Sequence, residues 1–517
     1  MNPLARKQCV LRLVMALAAM AALFAAVGCG SGGGIIHPLP GGYSKASLKG
    51  QYVIAQTGIG VDQAPLTGVD PFSETIVFAA DGNGNLTVTV DDFDQVGGPY
   101  GLNSGETLSG TYGISRDGTG FLILNFSSGS SNYAITMIDD NHFYVIEQDL
   151  FATASGFGEK QDTTAFTAAP SGTFVFKAHN IDSSSRVGGI TIAGGSISGT
   201  EDLLSLGSLS SSQAIATTAS MSTPDANGRG TFTLDDLTSF NYYVVNSGKF
   251  YLMSNSTSGS LEIGQAEKQT GGPFSLATLA AGTSYVFGSS GDTSITRSAR
   301  IHSAGVFTTD GNGKIEDGTT TPGAVDYVQD ATVNSNLTVS GGSYKLASDG
   351  SGEIDLTLSG GTISPQKFWM VNGTRAYFLA DSTAAVEDGT FSLQQGAPFS
   401  TLSNQAAFVM DGFDTDYKDR VGAFAPTSGG FNWKQASNSF DVNLGGAPTA
   451  LGTTGTYQVS SNGRVTVTVN GVTGSGANPG WVFYLSGPST GFMVQEDTNS
   501  AGGVNDIGGV FAQQAGQ

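Results

Sequence analysis

Cysteine, histidine and charge are all scarce in this chain of 517 residues. It contains two cysteines, Cys9 and Cys29, and four histidines. Charged side chains make up 13% of the residues, against a usual share of about 25%. A coiled coil and a charged disordered chain are therefore excluded, because the 39% of hydrophobic residues can still fill packed cores.

The charges that are present are mostly acidic. The chain has 43 acidic and 22 basic side chains, for a formal net charge of −21. Such a surface repels nucleic acid, whose binding needs clustered lysine and arginine. No nucleic-acid partner is therefore expected.

A basic segment followed by an apolar run begins the chain. Arg6, Lys7 and Arg12 flank or precede the run over 13–28. The run is shorter than the roughly 20 residues that a membrane-spanning helix needs. Residues 1–28 are therefore predicted to be a secretory signal peptide.

The run ends in Ala25-Ala26-Val27-Gly28-Cys29, which resembles the lipobox of bacterial lipoproteins, although Ala26 stands where family members usually carry leucine. The resemblance implies that Cys29 is lipidated and attaches the mature protein to the cell envelope. Gly30 is not the aspartate that favours inner-membrane retention in enteric bacteria, so the outer membrane is expected. The alternatives are an ordinary secretory signal and an uncleaved membrane anchor.

Glycine-rich residues 29–44 are predicted to be a flexible tether. With Cys9 in the signal and Cys29 lipidated, the mature chain would hold no free thiol. Thiol catalysis and cysteine metal sites are thereby excluded.

An internal repeat is the strongest signal in the sequence. Each of four copies closes on a glutamine after a glycine-rich stretch, and the last glutamines are Gln161, Gln269, Gln395 and Gln514. The copies predict β-domains at 45–161, 166–269, 274–395 and 399–514. The linkers each carry a proline and are expected to limit bending between neighbours: Pro170, Pro273 and Pro398.

The copies share two hairpin signals. Asp-Gly or Asn-Gly dipeptides mark tight turns at Gly118, Gly228, Gly350 and Gly463. An aromatic strand then pairs with a second apolar strand across a short polar turn, as in 133–138 with 143–146. The strand after the dipeptide alternates apolar and polar residues, which predicts one buried face.

About eight short strands per copy and no sustained helical periodicity predict an all-β protein of four tandem antiparallel domains. A meander barrel is favoured because closure removes exposed edges. A sandwich, or a single β-propeller with two blades per repeat, is the alternative. The copies resemble tandem β-domain lipoproteins of bacterial envelopes, a resemblance that implies no catalytic residues.

One loop has the alternating oxygen ligands of a calcium site, at Asp81, Asn83 and Asn85. Leu86 stands where an EF-hand needs glycine, and the flanks are predicted strands rather than helices. A β-turn role is favoured, with calcium as the alternative. No other metal and no cofactor are expected.

Other candidates for chemistry do not converge in the sequence. The histidines, at 37, 142, 179 and 302, fall at unrelated repeat positions, so no shared metal or acid–base site is predicted. Paired acids are expected to be solvated turns and strand ends, since neighbours on a strand point to opposite faces. They are Asp91-Asp92, Asp139-Asp140, Asp235-Asp236 and Glu496-Asp497.

The tryptophans are the remaining candidates. Trp369 and Trp481 lie on the aromatic strand of copies three and four, which predicts core packing, with a ligand-lining face as the alternative. Trp433, beside Gly430, is the preferred candidate for an exposed ligand contact.

The sequence therefore predicts a lipid-anchored, non-enzymatic envelope protein. Its modules would act as a surface spacer or as a binding array for a glycan or protein. One alternative is a carrier of small apolar ligands inside the barrels, which interiors filled by Phe, Tyr and Leu would exclude. An envelope hydrolase is the weaker alternative, because no catalytic constellation recurs.

Overall fold

The computed structural model describes residues 42–515 except for short gaps. The gaps are 62–68, 96–97, 102–105, 127–128, 150–151, 181–183, 206–207, 235–237, 256–260, 293–299, 318–321, 330–331, 381–384, 414–416, 429, 442–444, 470–479 and 497–505. The predicted signal peptide, Cys29, His37 and the pair Asp235-Asp236 lie outside the described residues.

The first two copies each form a closed barrel with one extra strand. Barrel 1 consists of β1 (Lys49–Val61), β2 (Val69–Asp81), β3 (Asn85–Gln95), β4 (Gly98–Gly101), β5 (Leu108–Ile114), β6 (Thr119–Phe126), β7 (Gly129–Met137), β8 (His142–Asp149) and β9 (Ala152–Lys160). Barrel 2 consists of β10 (Gly172–Asn180), β11 (Ser184–Ala193), β12 (Ser196–Ser205), β13 (Ser208–Ala214), β14 (Ser220–Met221), β15 (Arg229–Thr233), β16 (Ser239–Asn246), β17 (Lys249–Ser254) and β18 (Glu262–Lys268).

The third copy follows the same plan, and the described part of the fourth forms a closed barrel of eight strands without the extra one. Barrel 3 consists of β19 (Thr283–Asp292), β20 (Arg300–Thr309), β21 (Lys314–Ile315), β22 (Gly323–Gln329), β23 (Thr332–Leu346), β24 (Ser351–Leu358), β25 (Gly361–Asn372), β26 (Arg375–Ala380) and β27 (Val386–Leu393). Barrel 4 consists of β28 (Ala406–Phe413), β29 (Tyr417–Thr427), β30 (Gly430–Asp441), β31 (Gly445–Val459), β32 (Arg464–Val469), β33 (Trp481–Gly487), β34 (Thr490–Gln495) and β35 (Asp506–Gln513).

Each barrel closes because its first strand pairs antiparallel with its last. These pairs are β1 with β9, β10 with β18, β19 with β27 and β28 with β35. Barrels 1 to 3 each have one extra strand outside the eight: β4 pairs with β3, β13 with β12 and β22 with β20. The all-β class with four tandem eight-stranded domains is confirmed in its barrel form, and the sandwich and propeller alternatives are wrong.

Aromatic and branched side chains fill each barrel. Tyr52, Phe78 and Phe143 pack together in barrel 1, and the other three barrels contain comparable buried clusters. The strand alternation read from the sequence supplies these residues, since Ile354 and Leu356 of β24 both point inward. These filled interiors argue against the carrier alternative, which requires room for an apolar ligand inside the barrels.

Among the described residues, helix is confined to three short 3-10 segments, Lys45–Ser47, Thr163–Thr167 and Leu276–Thr278. None of the helices in the described part of the chain has the length and apolar character needed to cross a bilayer.

The four barrels form a closed ring, because each contacts the next and barrel 4 also contacts barrel 1. A buried apolar cluster joins each pair. Representative members are Val53 and Tyr243 at the 1–2 interface, Val187 and Trp369 at the 2–3 interface, Val306 and Tyr484 at the 3–4 interface, and Tyr144 and Val409 at the 4–1 interface. The chain therefore returns to its first barrel, so the four domains form a ring and not an extended row.

The glutamine that ends each copy fastens one barrel to the next. Its Nε2 donates to two backbone carbonyls of the following barrel, one in the Asp/Asn-Gly turn and one on the aromatic strand. The contacts are Gln161 to Asn227 and Val244, Gln269 to Asp349 and Met370, Gln394 to Asn462 and Leu485, and Gln514 to Asp117 and Met137. The equivalent residue in copy three is thus Gln394 rather than Gln395. The last contact closes the ring.

The turn glycines serve this contact as well as the hairpin. Gly350 has a φ of +95°, and a Cβ there would lie 2.6 Å from Nε2 of Gln269. Gly463 has the same relation to Gln394. A side chain at either glycine would both strain the turn and displace the glutamine. The closing glutamine of one copy and the Asp/Asn-Gly turn of the next therefore contact each other directly.

We expect Gln514→Ala to loosen the 4–1 interface, because it removes the two hydrogen bonds that this buried side chain donates and the one that it accepts from Gln405. The expected loss in free energy of unfolding is about 1–3 kcal/mol, with faster amide exchange around Gly118. The neighbouring Gln513→Ala is the control, since that side chain is exposed. Equal exchange in both variants would contradict the role of Gln514.

Candidate functional site

A cavity of about 760 Å³ lies where the four barrels meet. It is lined mainly by the first and last strands of each barrel, together with the strand that precedes the last. The same strands also contribute to the barrel interfaces, as Val53 of β1 and Val175 of β10 do, so the cavity lies directly beside those contacts. The cavity is therefore a product of ring closure and belongs to no single barrel.

Equivalent backbone positions of the four copies contribute different side chains to the cavity wall. On the first strands of barrels 1 to 4 one such position holds Ala55, Lys177, Gly288 and Val409. The residues paired with these on the last strands are, in the same order, Phe157, Gln265, Thr390 and Val510. All eight residues line the cavity. The four copies thus share the same backbone arrangement, whereas their different side chains determine the chemistry of each side of the cavity wall.

Ion pairs between neighbouring barrels account for most charges on the wall. Lys249 pairs with Glu159 across the 1–2 interface. Across the 2–3 interface Lys177 lies 2.7 Å from Asp388 and Arg375 lies 2.9 Å from Glu267. The carboxylate of Asp411, which also lines the cavity, lies 2.7 Å from Arg300 of barrel 3. The charged groups therefore compensate one another.

Three histidines that are far apart in the sequence line this cavity: His142, His179 and His302. Burial acts to lower the pKa of His179, but hydrogen bonds to Asp292 and Asp388 outweigh it and raise the pKa to about 9. His179 is therefore a cation at neutral pH.

The other two histidines differ from it. His302 is 1% exposed, its Nε2 has no hydrogen-bond partner among the described residues, and burial lowers its pKa to about 4. His142 lies 2.9 Å from the Asp139 carboxylate, which raises the pKa of the imidazole. Within the described residues no group of His, Cys, Asp and Glu is arranged to hold a metal ion.

Buried acids fasten the barrel interfaces. Asp92 accepts hydrogen bonds from Arg229 and Tyr243 across the 1–2 interface. Asp326 accepts from Arg464 and Tyr484 at the 3–4 interface, with Arg464 distances of 2.6 and 2.7 Å. The expectation that Asp91-Asp92 and Glu496 are solvated is wrong. Asp92 and Glu496 are buried between barrels, whereas Asp91 lies opposite Ile76 on the inner face of barrel 1. Asp140 is exposed in its turn, as expected.

The 4–1 interface differs from the others. Tyr243, Trp369 and Tyr484 occupy equivalent positions on their strands, and each donates to an aspartate of the preceding barrel. The equivalent residue of barrel 1 is Thr136. Here Lys434 donates instead to the Asp117 carboxylate at 2.7 Å. Divergence at one position therefore distinguishes the closing interface.

A buried acid makes the 4–1 interface sensitive to pH. Burial and nearby Asp411 raise the pKa of Asp419 to about 7, although Thr153 donates a hydrogen bond to it. The folded state therefore holds this proton more tightly than the unfolded chain does, and stability falls as the pH rises from about 4 to about 7.

We expect Asp419→Asn to match the parent near pH 4 and to exceed its free energy of unfolding by up to about 4 kcal/mol at pH 8. The amide resembles the protonated acid and still accepts from Thr153. Denaturant unfolding across this pH range measures the difference. Asp310→Asn, in an exposed turn where backbone hydrogen bonds lower the acid's pKa, should show no such gain.

Two of the three tryptophans, Trp433 and Trp369, are placed differently from the sequence prediction. Trp433 is 0% exposed and packs inside barrel 4 between Phe408 and Trp481, so the expectation of an exposed ligand contact is wrong. Core packing is confirmed for Trp481. Trp369 points outward instead and packs against barrel 2, where its Nε1 donates to Asp202 at 3.1 Å.

The candidate calcium loop is held by its own hydrogen bonds. Asp81 Oδ1 accepts from the backbone of Asn83 at 2.6 Å and of Asn85 at 3.1 Å, and Oδ2 accepts from the Asn85 side chain at 2.8 Å. These bonds lower the pKa of Asp81 to about 2. The arrangement is that of a β-turn, as favoured from the sequence.

No family model matches the chain, and no curated protein matches it. Among solved structures it is similar to transferrin-binding protein B of Haemophilus parasuis, with a TM-score of 0.19, 8% identity and coverage of 66% of this chain and 75% of that chain. Transferrin-binding protein B of Neisseria meningitidis has a TM-score of 0.19 and 10% identity over 67% and 77% of the two chains. Similarities this low carry no argument about function.

Proposed function

We propose that this chain is a non-enzymatic binding protein of the bacterial cell envelope, attached through a lipid on Cys29. The observation that carries the proposal is the central cavity, to which all four barrels contribute. Its volume lies within the range of about 300–1,000 Å³ typical of small-molecule sites. The ring is therefore one binding unit rather than four separate modules.

The contacts between barrels support binding rather than catalysis. Four apolar interfaces and the ion pairs across them hold the cavity wall in place before a ligand arrives, which reduces the entropic cost of binding. The charged groups on the wall are paired with one another, whereas a general acid or base must be free to exchange a proton with the substrate.

The position of the tether suits attachment of the ring at one point. The Tyr43 hydroxyl donates to the carbonyls of Ile138 at 2.7 Å and Ala515 at 2.9 Å. The start of the described chain is thus held beside its end, at the 4–1 interface. A tether from Cys29 would enter the ring there.

Blocking the cavity chemically tests the proposal. In a Cys29→Ser background the mature chain has no cysteine, so Thr390→Cys places a single thiol on the cavity wall. Ser343→Cys places one on the exposed outside of barrel 3 and is the matched control. Each variant is coupled to a bulky maleimide and incubated with an extract of the source envelope, and bound small molecules are detected by native mass spectrometry.

A ligand mass that is lost only when Thr390→Cys is modified is the expected result. A ligand retained by both modified variants, or no ligand in the unmodified ring, would reject the central site.

Loss of radiolabelled palmitate incorporation in Cys29→Ser would support the lipid anchor, and protease shaving of intact cells would establish which side of the membrane the ring faces.

A further inference from the structure

The cavity wall offers no uncompensated charge to a ligand among its described residues. Glu159, Glu267, Asp388 and Asp411 each pair with a cation of a neighbouring barrel. Cationic His179 lies between two carboxylates, and His302 is neutral at physiological pH because burial lowers its pKa. A charged ligand would have to break one of these pairs, at the cost of leaving a partly buried charge alone.

An aromatic ring is exposed in the same cavity. Phe157 is 41% exposed and is the one exposed large hydrophobic side chain among the described residues. Tyr144 supports it edge-on, with ring centroids 5.5 Å apart. The phenyl face is therefore held in position and left open towards the cavity, where it can cover an apolar face of a ligand.

The wall is divided between apolar and hydrogen-bonding sides. Barrel 4 contributes apolar residues, including Val409, Phe492 and Val510. Barrels 2 and 3 contribute Gln265 and Thr390 at the positions equivalent to Phe157. Amide and hydroxyl groups can donate and accept hydrogen bonds without carrying charge. The site thus combines a flat apolar platform with uncharged polar groups.

From this combination we infer that the ligand of the central cavity is an uncharged saccharide. One sugar ring stacks its C–H face on Phe157, and its hydroxyls bond to Gln265 and Thr390. The inference rests on the proposed function and adds the chemical class of its ligand. A stacking ring selects the flat face of a pyranose, and the balanced charges select against acidic sugars.

The test uses isothermal titration calorimetry on the complete mature ring. The probes are neutral oligomers of glucose, galactose, mannose and N-acetylglucosamine, with uronic-acid oligomers of the same length. At least one neutral oligomer is expected to bind. Phe157→Ala should weaken it about tenfold, as expected for the loss of a stacking contact, whereas Phe157→Trp should retain it.

Thermal unfolding serves as the folding control, and Phe157→Ala should leave it unchanged because the ring of Phe157 is partly exposed. Failure of every neutral oligomer to bind, preference for the uronic acids, or equal affinity in Phe157→Ala would overturn the inference. If the envelope extract then yields a charged or peptidic ligand that cavity modification blocks, the proposed function stands and only its ligand class is wrong.

Discussion

Replacing Asp326 with alanine is expected to lower the free energy of unfolding by about 3–5 kcal/mol and to separate barrel 4 from barrel 3. The carboxylate is 0% exposed and receives two hydrogen bonds from Arg464 and one from Tyr484. Its removal leaves the guanidinium buried at the interface without its main counter-charge. Denaturant unfolding measures the loss, and small-angle scattering measures the opening of the ring.

A partly exposed ion-pair group in the same barrel provides the matched control. Glu353 pairs with Lys345 and Lys367 on the surface of barrel 3. We expect Glu353→Ala to cost no more than about 1 kcal/mol, because solvent screens exposed pairs. Similar losses in the two variants would show that Asp326 owes its effect to charge alone and not to burial between barrels.

The second large effect is expected from Gly189→Ala at the 2–3 interface. A Cβ at this position would lie 2.2 Å from the Trp369 ring, and its three nearest neighbours are all atoms of that ring. Trp369 cannot easily move away, since it is buried and its Nε1 is bound to Asp202. The expected cost is about 1–3 kcal/mol.

A double-mutant cycle isolates this contact. In a Trp369→Ala background the clash is gone, so adding Gly189→Ala should cost less than about 0.5 kcal/mol. Gly373→Ala is the control, because a Cβ there would lie 3.9 Å from the Thr278 side chain, an ordinary van der Waals contact. Additive losses in the cycle would mean that Gly189 is required by its own strand and not by the neighbouring barrel.

The two interfaces illustrate why the ring was not visible in the sequence. Asp326 and Arg464 are separated by 138 residues, and nothing in the local pattern around either one marks a partner. The same holds for Gly189 and Trp369, since core packing was predicted for the tryptophan and the sequence carried no signal at the glycine. The glutamines and the Asp/Asn-Gly turns were both visible as landmarks, but each was interpretable only as part of its own copy.

The central site was missed for the same reason. Its histidines occupy different positions in their copies. This argues against a shared site only if the four copies are independent domains. Ring closure brings different positions to one cavity, because the barrels present the same strands but not the same residues. Phe157 carried no signal at all, since an alternating strand contains many aromatic residues and only the barrel partners decide which remains exposed.

Local sequence patterns were sufficient to predict the four copies, the all-β class, the turns and the alternation of each strand between two faces. These depend on local chemistry: two-residue alternation, positive-φ glycines and short polar turns act within one hairpin or one barrel. The outward faces were decided only by the tertiary structure. Whether an outward residue meets solvent, an interface or the central cavity depends on contacts between barrels, as in Gln514 with Met137, separated by 377 residues. Such contacts arise from the complementary shapes and charges of two folded surfaces, which no periodicity within one copy encodes.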